Sequence, residues 1–122
     1  MDPTQGSVID QIDEKAIVDL AGELIKIPSF KLEETPVATF LADFFGDRGY
    51  KVDLQEVEPG RLQTIATLEG SGGGPSLMLN GHTDINSLTR RWPRDPWIPV
   101  LDGGRLARTR VGSVRSVERR GV

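Results

Sequence analysis

The sequence predicts an α/β layered domain, two helices followed by a mixed sheet, and three observations carry that expectation. Apolar residues recur at helical spacing from Val8 to Ile27 and again from Val37 to Phe45. Beyond Gly49 the period falls to that of a strand. A short apolar run, Leu77-Met78-Leu79, then leads into the polar stretch Asn80-Gly81-His82-Thr83-Asp84. A chain of 122 residues has room for one domain with one core.

Taken in order, Val8, Ile12, Ala16, Ile17, Leu20, Leu24 and Ile27 are spaced three, four or one residue apart, which describes a single amphipathic helix closed by Pro28. A second helix is expected from Glu33 or Thr35 to Arg48. Pro36 is tolerated in its first turn, Val37, Phe40, Leu41, Phe44 and Phe45 form its apolar face, and Gly49 ends it. Tyr50 to Val57 alternates as a half-exposed strand, Leu62 to Leu68 reads as another, and Pro59-Gly60 makes the turn between them. Ser71-Gly72-Gly73-Gly74-Pro75 is a connection; with no Lys-Ser/Thr pair and no helix pattern after it, phosphate binding is rejected. Ser76 to Asn80 is expected as a short central strand. Residues 83–100 then form an irregular wall in which Trp92 and Trp97 are read first as packing residues. The chain has no internal repeat and no heptad pattern.

The chemistry concentrates in the only histidine of the chain. Residues two apart in an extended segment share a face, so His82 and Asp84 can touch or straddle one ligand. An imidazole that binds a metal through one nitrogen needs an acceptor for its other N–H, and a neighbouring carboxylate supplies it. His82 is therefore expected as metal ligand and Asp84 as the group that orients it. Gly81 removes side-chain bulk just before the ligand. Taken alone, such a pair is more often an ordinary surface or core feature than a site.

The surrounding order strengthens the expectation. Ile27-Pro28-Ser29, Arg61 to Gly70, Leu77 to Asp84, Trp92-Pro93-Arg94-Asp95-Pro96-Trp97 and Asp102-Gly103-Gly104-Arg105-Leu106 resemble one family over about Ile12 to Leu106. That family is the zinc-dependent amidohydrolases, or metallopeptidases, that include acetylornithine deacetylase, succinyl-diaminopimelate desuccinylase and glutamate carboxypeptidase. The resemblance implies the N-terminal part of a layered zinc-hydrolase catalytic domain. It also implies two zinc ions sharing a bridging carboxylate, and hydrolysis of an amide in an N-acyl amino acid or small peptide by metal-activated water. On it His82 binds the first metal and Asp84 is the catalytic carboxylate that orients the imidazole. Cobalt or manganese would also suit an imidazole.

The chain departs from the family after Leu106. Relatives continue toward Asp-Met-Lys-Gly, whose aspartate bridges the metals, whereas this sequence reads Ala107-Arg108-Thr109-Arg110-Val111-Gly112 and runs on to Val122. The family's adjacent glutamates, later acidic ligand and final histidine are missing too. The expectation is therefore a truncated catalytic domain over 1–106 with a disordered, Arg-rich, non-family tail over 107–122, of the kind a shifted reading frame produces. Its metal binding is expected to be weak or absent and the chain inactive by itself. A homodimer would need the lid domain that this sequence lacks.

Charge supports the division and supplies a rival. Residues 1–104 hold nine Lys or Arg against seventeen Asp or Glu, while residues 105–122 hold six Arg against Glu118 alone. A noncatalytic protein using the basic tail on nucleic acid or an acidic partner is the alternative. Against it, the tail has no aromatic residue for stacking and the body is acidic, so nucleic acid is not the expected partner. A third reading is an assembly partner for a separately encoded remainder. The absence of cysteine excludes a disulfide framework and thiolate metal sites. With no apolar stretch of membrane-spanning length and a polar N-terminus, a soluble cytoplasmic protein without a membrane partner is expected.

Overall fold

The structure is a computed structural model that describes residues 3–88 and 95–107. It is a small α/β fold with helices α1 (Pro3–Ile9), α2 (Glu14–Lys26) and α3 (Thr35–Gly46), and strands β1 (Lys51–Glu58), β2 (Arg61–Thr67), β3 (Val100–Asp102) and β4 (Arg105–Ala107). The strands form two separate antiparallel pairs, β1 with β2 and β3 with β4. Residue contacts divide the chain into one unit of Met1–Lys26 with Trp92–Val122 and a second of Ile27–Arg91.

In the first unit the single N-terminal helix expected from the apolar spacing is two helices. Asp13 is the cause: its Oδ1 accepts the backbone N–H groups of Lys15 at 2.9 Å and Ala16 at 3.3 Å, and its carbonyl accepts that of Ile17 at 3.2 Å. A carboxylate that satisfies the free N–H groups of a new helix start competes with continuing the old helix. The apolar spacing therefore survives without a common buried stripe, and Val8, Ile12 and Ile17 stay 63%, 59% and 57% exposed. Gly22 is the buried position of α2, and a Cβ built there would lie 3.8 Å from Pro99 Cγ. Beyond the Asp95–Ile98 turn, β3 and β4 pair through Asp102↔Arg105, with Gly103 and Gly104 at φ of 55° and 75°. Two successive left-handed residues are what a tight two-residue hairpin demands, and glycine adopts them without steric cost. The tail beyond Ala107 and the stretch holding Trp92 lie outside the described residues.

The second unit holds the core. Helix α3 packs on both β1 and β2, burying Val37, Ala38 and Ala42. Two of the three are alanines, which let the helix lie close to the sheet, so that the Thr64 hydroxyl on β2 donates to the Ala38 carbonyl at 2.5 Å. Phe40, Leu41, Phe44 and Phe45, expected on the apolar face, are only half-buried. The three phenylalanines build a ring cluster with Phe40 and Phe44 centroids 6.4 Å apart, Phe44 and Phe45 5.5 Å apart, Phe45 and Tyr50 5.0 Å apart, and the Arg48 guanidinium 3.5 Å from the Phe44 centroid. The β1–β2 register runs from Lys51↔Thr67 to Glu58↔Arg61 with an irregularity between Glu56 and Glu58, and Gly60 turns the chain at φ 77°.

The first turn of α3 is stitched to that hairpin turn. The Thr35 hydroxyl donates to the Gly60 carbonyl at 2.7 Å and accepts the Leu62 N–H at 3.1 Å. One residue earlier, buried Glu34 receives the Arg61 guanidinium on both oxygens, Nη2 to Oε1 at 2.9 Å and Nε to Oε2 at 3.3 Å. A two-pronged ion pair of this kind fixes geometry as well as charge. Arg61 hydrogen bonding, with help from the Leu32 N–H, lowers the Glu34 carboxyl from its ordinary 4.5 to about 2.

Two parts of the expected sheet are corrected. Ser76 to Asn80 is not a strand, and no mixed sheet forms among the described residues. Each strand pair is closed by its own glycine turn, whereas Leu77, Met78 and Leu79, with no described strand alongside, are 84%, 83% and 87% exposed. An extended segment becomes a strand only by hydrogen bonding to a neighbour's backbone. The one parallel pairing among the described residues is the isolated bridge Phe30↔Ile85.

Two outcomes are expected from this packing. Because the folded carboxyl of Glu34 titrates below its unfolded value, its contribution to stability is complete above about pH 4.5 and is lost as pH falls toward 2. Glu34→Gln should flatten that part of the acid limb in urea unfolding followed from pH 6 to pH 2. Leu77→Lys should change the unfolding free energy by less than about 0.5 kcal/mol, as for any exposed position without contacts; a larger loss in the same urea assay would mean that the run is packed.

Candidate functional site

The segment around His82 is positioned at one point only. Residues 69–82 are exposed, and regular pairing resumes at Ile85, whose N–H donates to the Ser29 carbonyl at 2.9 Å beside the Phe30↔Ile85 bridge. Ser29 is buried, 5% exposed, so the bridge joins the segment to a fixed part of the second unit. Thr83, Asp84 and Ile85 are half-buried. His82 precedes the anchor by three residues and its side chain is 86% exposed. It stands in a loop tied down after it, rather than at the end of a central strand.

The structure brings His82 and Asp84 together. The imidazole Nδ1 lies 3.1 Å from Asp84 Oδ1 and 3.1 Å from the Asp84 backbone carbonyl oxygen. Both atoms accept, so a proton on Nδ1 has two acceptors from one residue, and the neutral ring that donates it carries its lone pair on Nε2. Among the described residues Nε2 makes no hydrogen bond. The arrangement can offer one nitrogen lone pair from an imidazole whose second nitrogen is held by a carboxylate.

It can offer no more than that. Among the described residues no group of three or more His, Cys, Asp or Glu side chains could hold a metal ion. A catalytic zinc takes three protein ligands and a water, so the donor set fits a single ligand position with its orienting carboxylate and does not fit a whole centre. The Asp95–Trp97 stretch, expected to wall the site, belongs to the other unit, where Asp95 Oδ1 accepts the Trp97 N–H at 2.9 Å.

The residues that hold the segment, Ser29, Ile85, Glu34 and Arg61, carry no local sequence pattern that marks them for this role, save that Ile85 is apolar. An apolar residue directly after Asp84 was a signal that the chain turns back onto the body there, although nothing local names its partner.

Comparison with known proteins gives partial likenesses, of which one is to an acetylornithine deacetylase. Over 71 residues, 57% of this chain, the sequence is 41% identical to acetylornithine deacetylase of Vibrio campbellii (strain ATCC BAA-1116). The chain spans 18% of the length of that curated relative. No family model matches the sequence. No solved structure matches it. The likeness points toward a hydrolase family of amide-cleaving type, at the level of that relative's name.

Removing one acceptor tests the pair directly. Asp84→Ala leaves the backbone carbonyl in place, so the imidazole should shift partly, not wholly, away from its Nδ1–H form. Because the chain has a single histidine, nitrogen NMR of the ring reads this without ambiguity. A tautomer balance identical to wild type would show that the carboxylate does not hold the ring.

Proposed function

We propose that this chain carries one ligand position of a metal-dependent amide hydrolase of the deacylase or exopeptidase type, acting on N-acyl amino acids or small peptides. The observation that carries the reading is the His82 imidazole held through Nδ1 by Asp84 with Nε2 left for a cation. The partial likeness to a protein named acetylornithine deacetylase supports it.

On this reading His82 supplies Nε2 to the ion, and Asp84 sets the tautomer that makes Nε2 the donor. The ion, zinc or in its place cobalt or manganese, would supply polarisation of an amide carbonyl and a water acidified toward neutral pH when bound. Among the described residues no group of three or more His, Cys, Asp or Glu side chains gathers to hold such an ion, so hydrolysis is not assigned to the described residues alone. A cytoplasmic setting belongs to the same proposal.

Zinc titrated into the chain should move the His82 ring signals at Nε2 with the weak, readily reversed affinity of a one-ligand site. His82→Ala should abolish binding, and Asp84→Asn should weaken it by about tenfold or more, the usual effect of losing a ligand's orienting partner. Zinc bound equally well by the His82→Ala variant would remove the metal reading. In the same samples no cleavage of an N-acetyl amino acid should be detected at any zinc concentration.

A further inference from the structure

Between the ion pair of the core and the histidine runs a continuous chain of fixed contacts. Arg61 on β2 holds Glu34 by both carboxylate oxygens. Glu34 Oε1 in turn accepts the backbone N–H of Leu32 at 3.0 Å. Leu32 is the one non-glycine residue with a left-handed backbone among those described, at φ 78°, and its side chain gains little by this, the residue being 60% exposed. A branched side chain in that region is disfavoured, so surrounding contacts must hold it there. The Glu34 carboxylate is one, and the turn hydrogen bond from the Glu33 N–H to the Phe30 carbonyl at 2.8 Å is the other. This turn presents Ser29 and Phe30 to Ile85, and Ile85 directly follows Asp84.

We infer that Glu34 is a positioning residue for the His82–Asp84 pair, acting through the Leu32 turn and the Ser29–Ile85 backbone bond. It touches neither His82 nor Asp84. Its part is to keep a strained turn closed, so that the bridge at Phe30 holds the segment in which Asp84 can reach the imidazole. The role suits a carboxylate: Arg61 and the Leu32 N–H are both donors, and an amide in its place would present an NH2 group to one of them. The metal side of this inference rests on the function proposed above, whereas the coupling from Glu34 to the imidazole does not.

The experiment uses the full chain and reads three quantities in wild type, Glu34→Gln and Glu58→Gln. These are hydrogen exchange of the Ile85 amide, the tautomer balance of His82 by nitrogen NMR without metal, and affinity for zinc alone. Glu58 is the control, because it pairs with the same guanidinium at 2.8 Å from an exposed position and has no bond to the turn. Glu34→Gln should speed Ile85 exchange relative to the β1–β2 amides, move the ring away from its Nδ1–H form, and weaken zinc binding about tenfold; Glu58→Gln should change none of these. Unchanged Ile85 exchange and an unchanged tautomer in Glu34→Gln, with the fold intact, would overturn the inference. If Glu34→Gln does not fold, Ile85→Pro removes the N–H donated to Ser29 while leaving the ion pair alone. The inference then requires the same tautomer change from Ile85→Pro, and wild-type behaviour would overturn it. A wild-type chain that shows the coupling but binds no zinc would defeat the metal reading and leave the positioning role standing.

Discussion

The second unit depends on how α3 begins. A pair of antiparallel strands has little stability without a partner layer, and here the layer is one helix with Val37, Ala38 and Ala42 as its buried positions. Three small side chains bury too little area to choose the angle and depth of the helix by themselves. Directional contacts do so instead. Thr35 gives and receives a hydrogen bond at the hairpin turn, and Glu34 grips Arg61 by both oxygens. Once those are made, Ala38 comes within hydrogen-bonding range of Thr64 and the small core closes.

The same first turn of α3 reaches the histidine by backbone instead of side-chain packing. From Leu32 to Phe30 to Ile85 each link is a main-chain group held by a neighbour, so the geometry at Asp84 is inherited from the hairpin without a surrounding wall of side chains. This explains how an imidazole as exposed as that of His82 can keep a defined partner. The partner lies two residues away and needs only the local backbone to be right. A complete metal centre asks for donors from several distant elements, and the described part of this chain brings none of those to the pair.

Much of the fold was legible in local pattern. Helix α3, strands β1 and β2 and the Pro59-Gly60 turn lie within a few residues of where periodicity and turn chemistry place them. The errors came where a local pattern has two solutions. Apolar spacing ran unbroken across Asp13, yet the carboxylate of that residue starts a new helix. Leu77-Met78-Leu79 has the composition of a central strand, yet composition supplies no neighbour to pair with. The hairpin at Gly103-Gly104 follows a local sign, two glycines between short strands, that the expected elements do not include.

Local sequence by itself determined that His82 and Asp84 could meet, because a spacing of two residues is covalent geometry and needs no fold to arrange it. It also determined where the chain turns, since glycine at positive φ and proline near a helix start are properties of single residues. Tertiary structure alone decided that Glu34 finds Arg61, and that Ser29 finds Ile85. Those partners lie 27 and 56 positions apart in the chain, as the numbering shows. Nothing in either member's neighbourhood encodes such a distance: the first contact exists because α3, packed on the hairpin, sets Glu34 facing Arg61, and the second because the chain after the hairpin returns to bridge at Phe30.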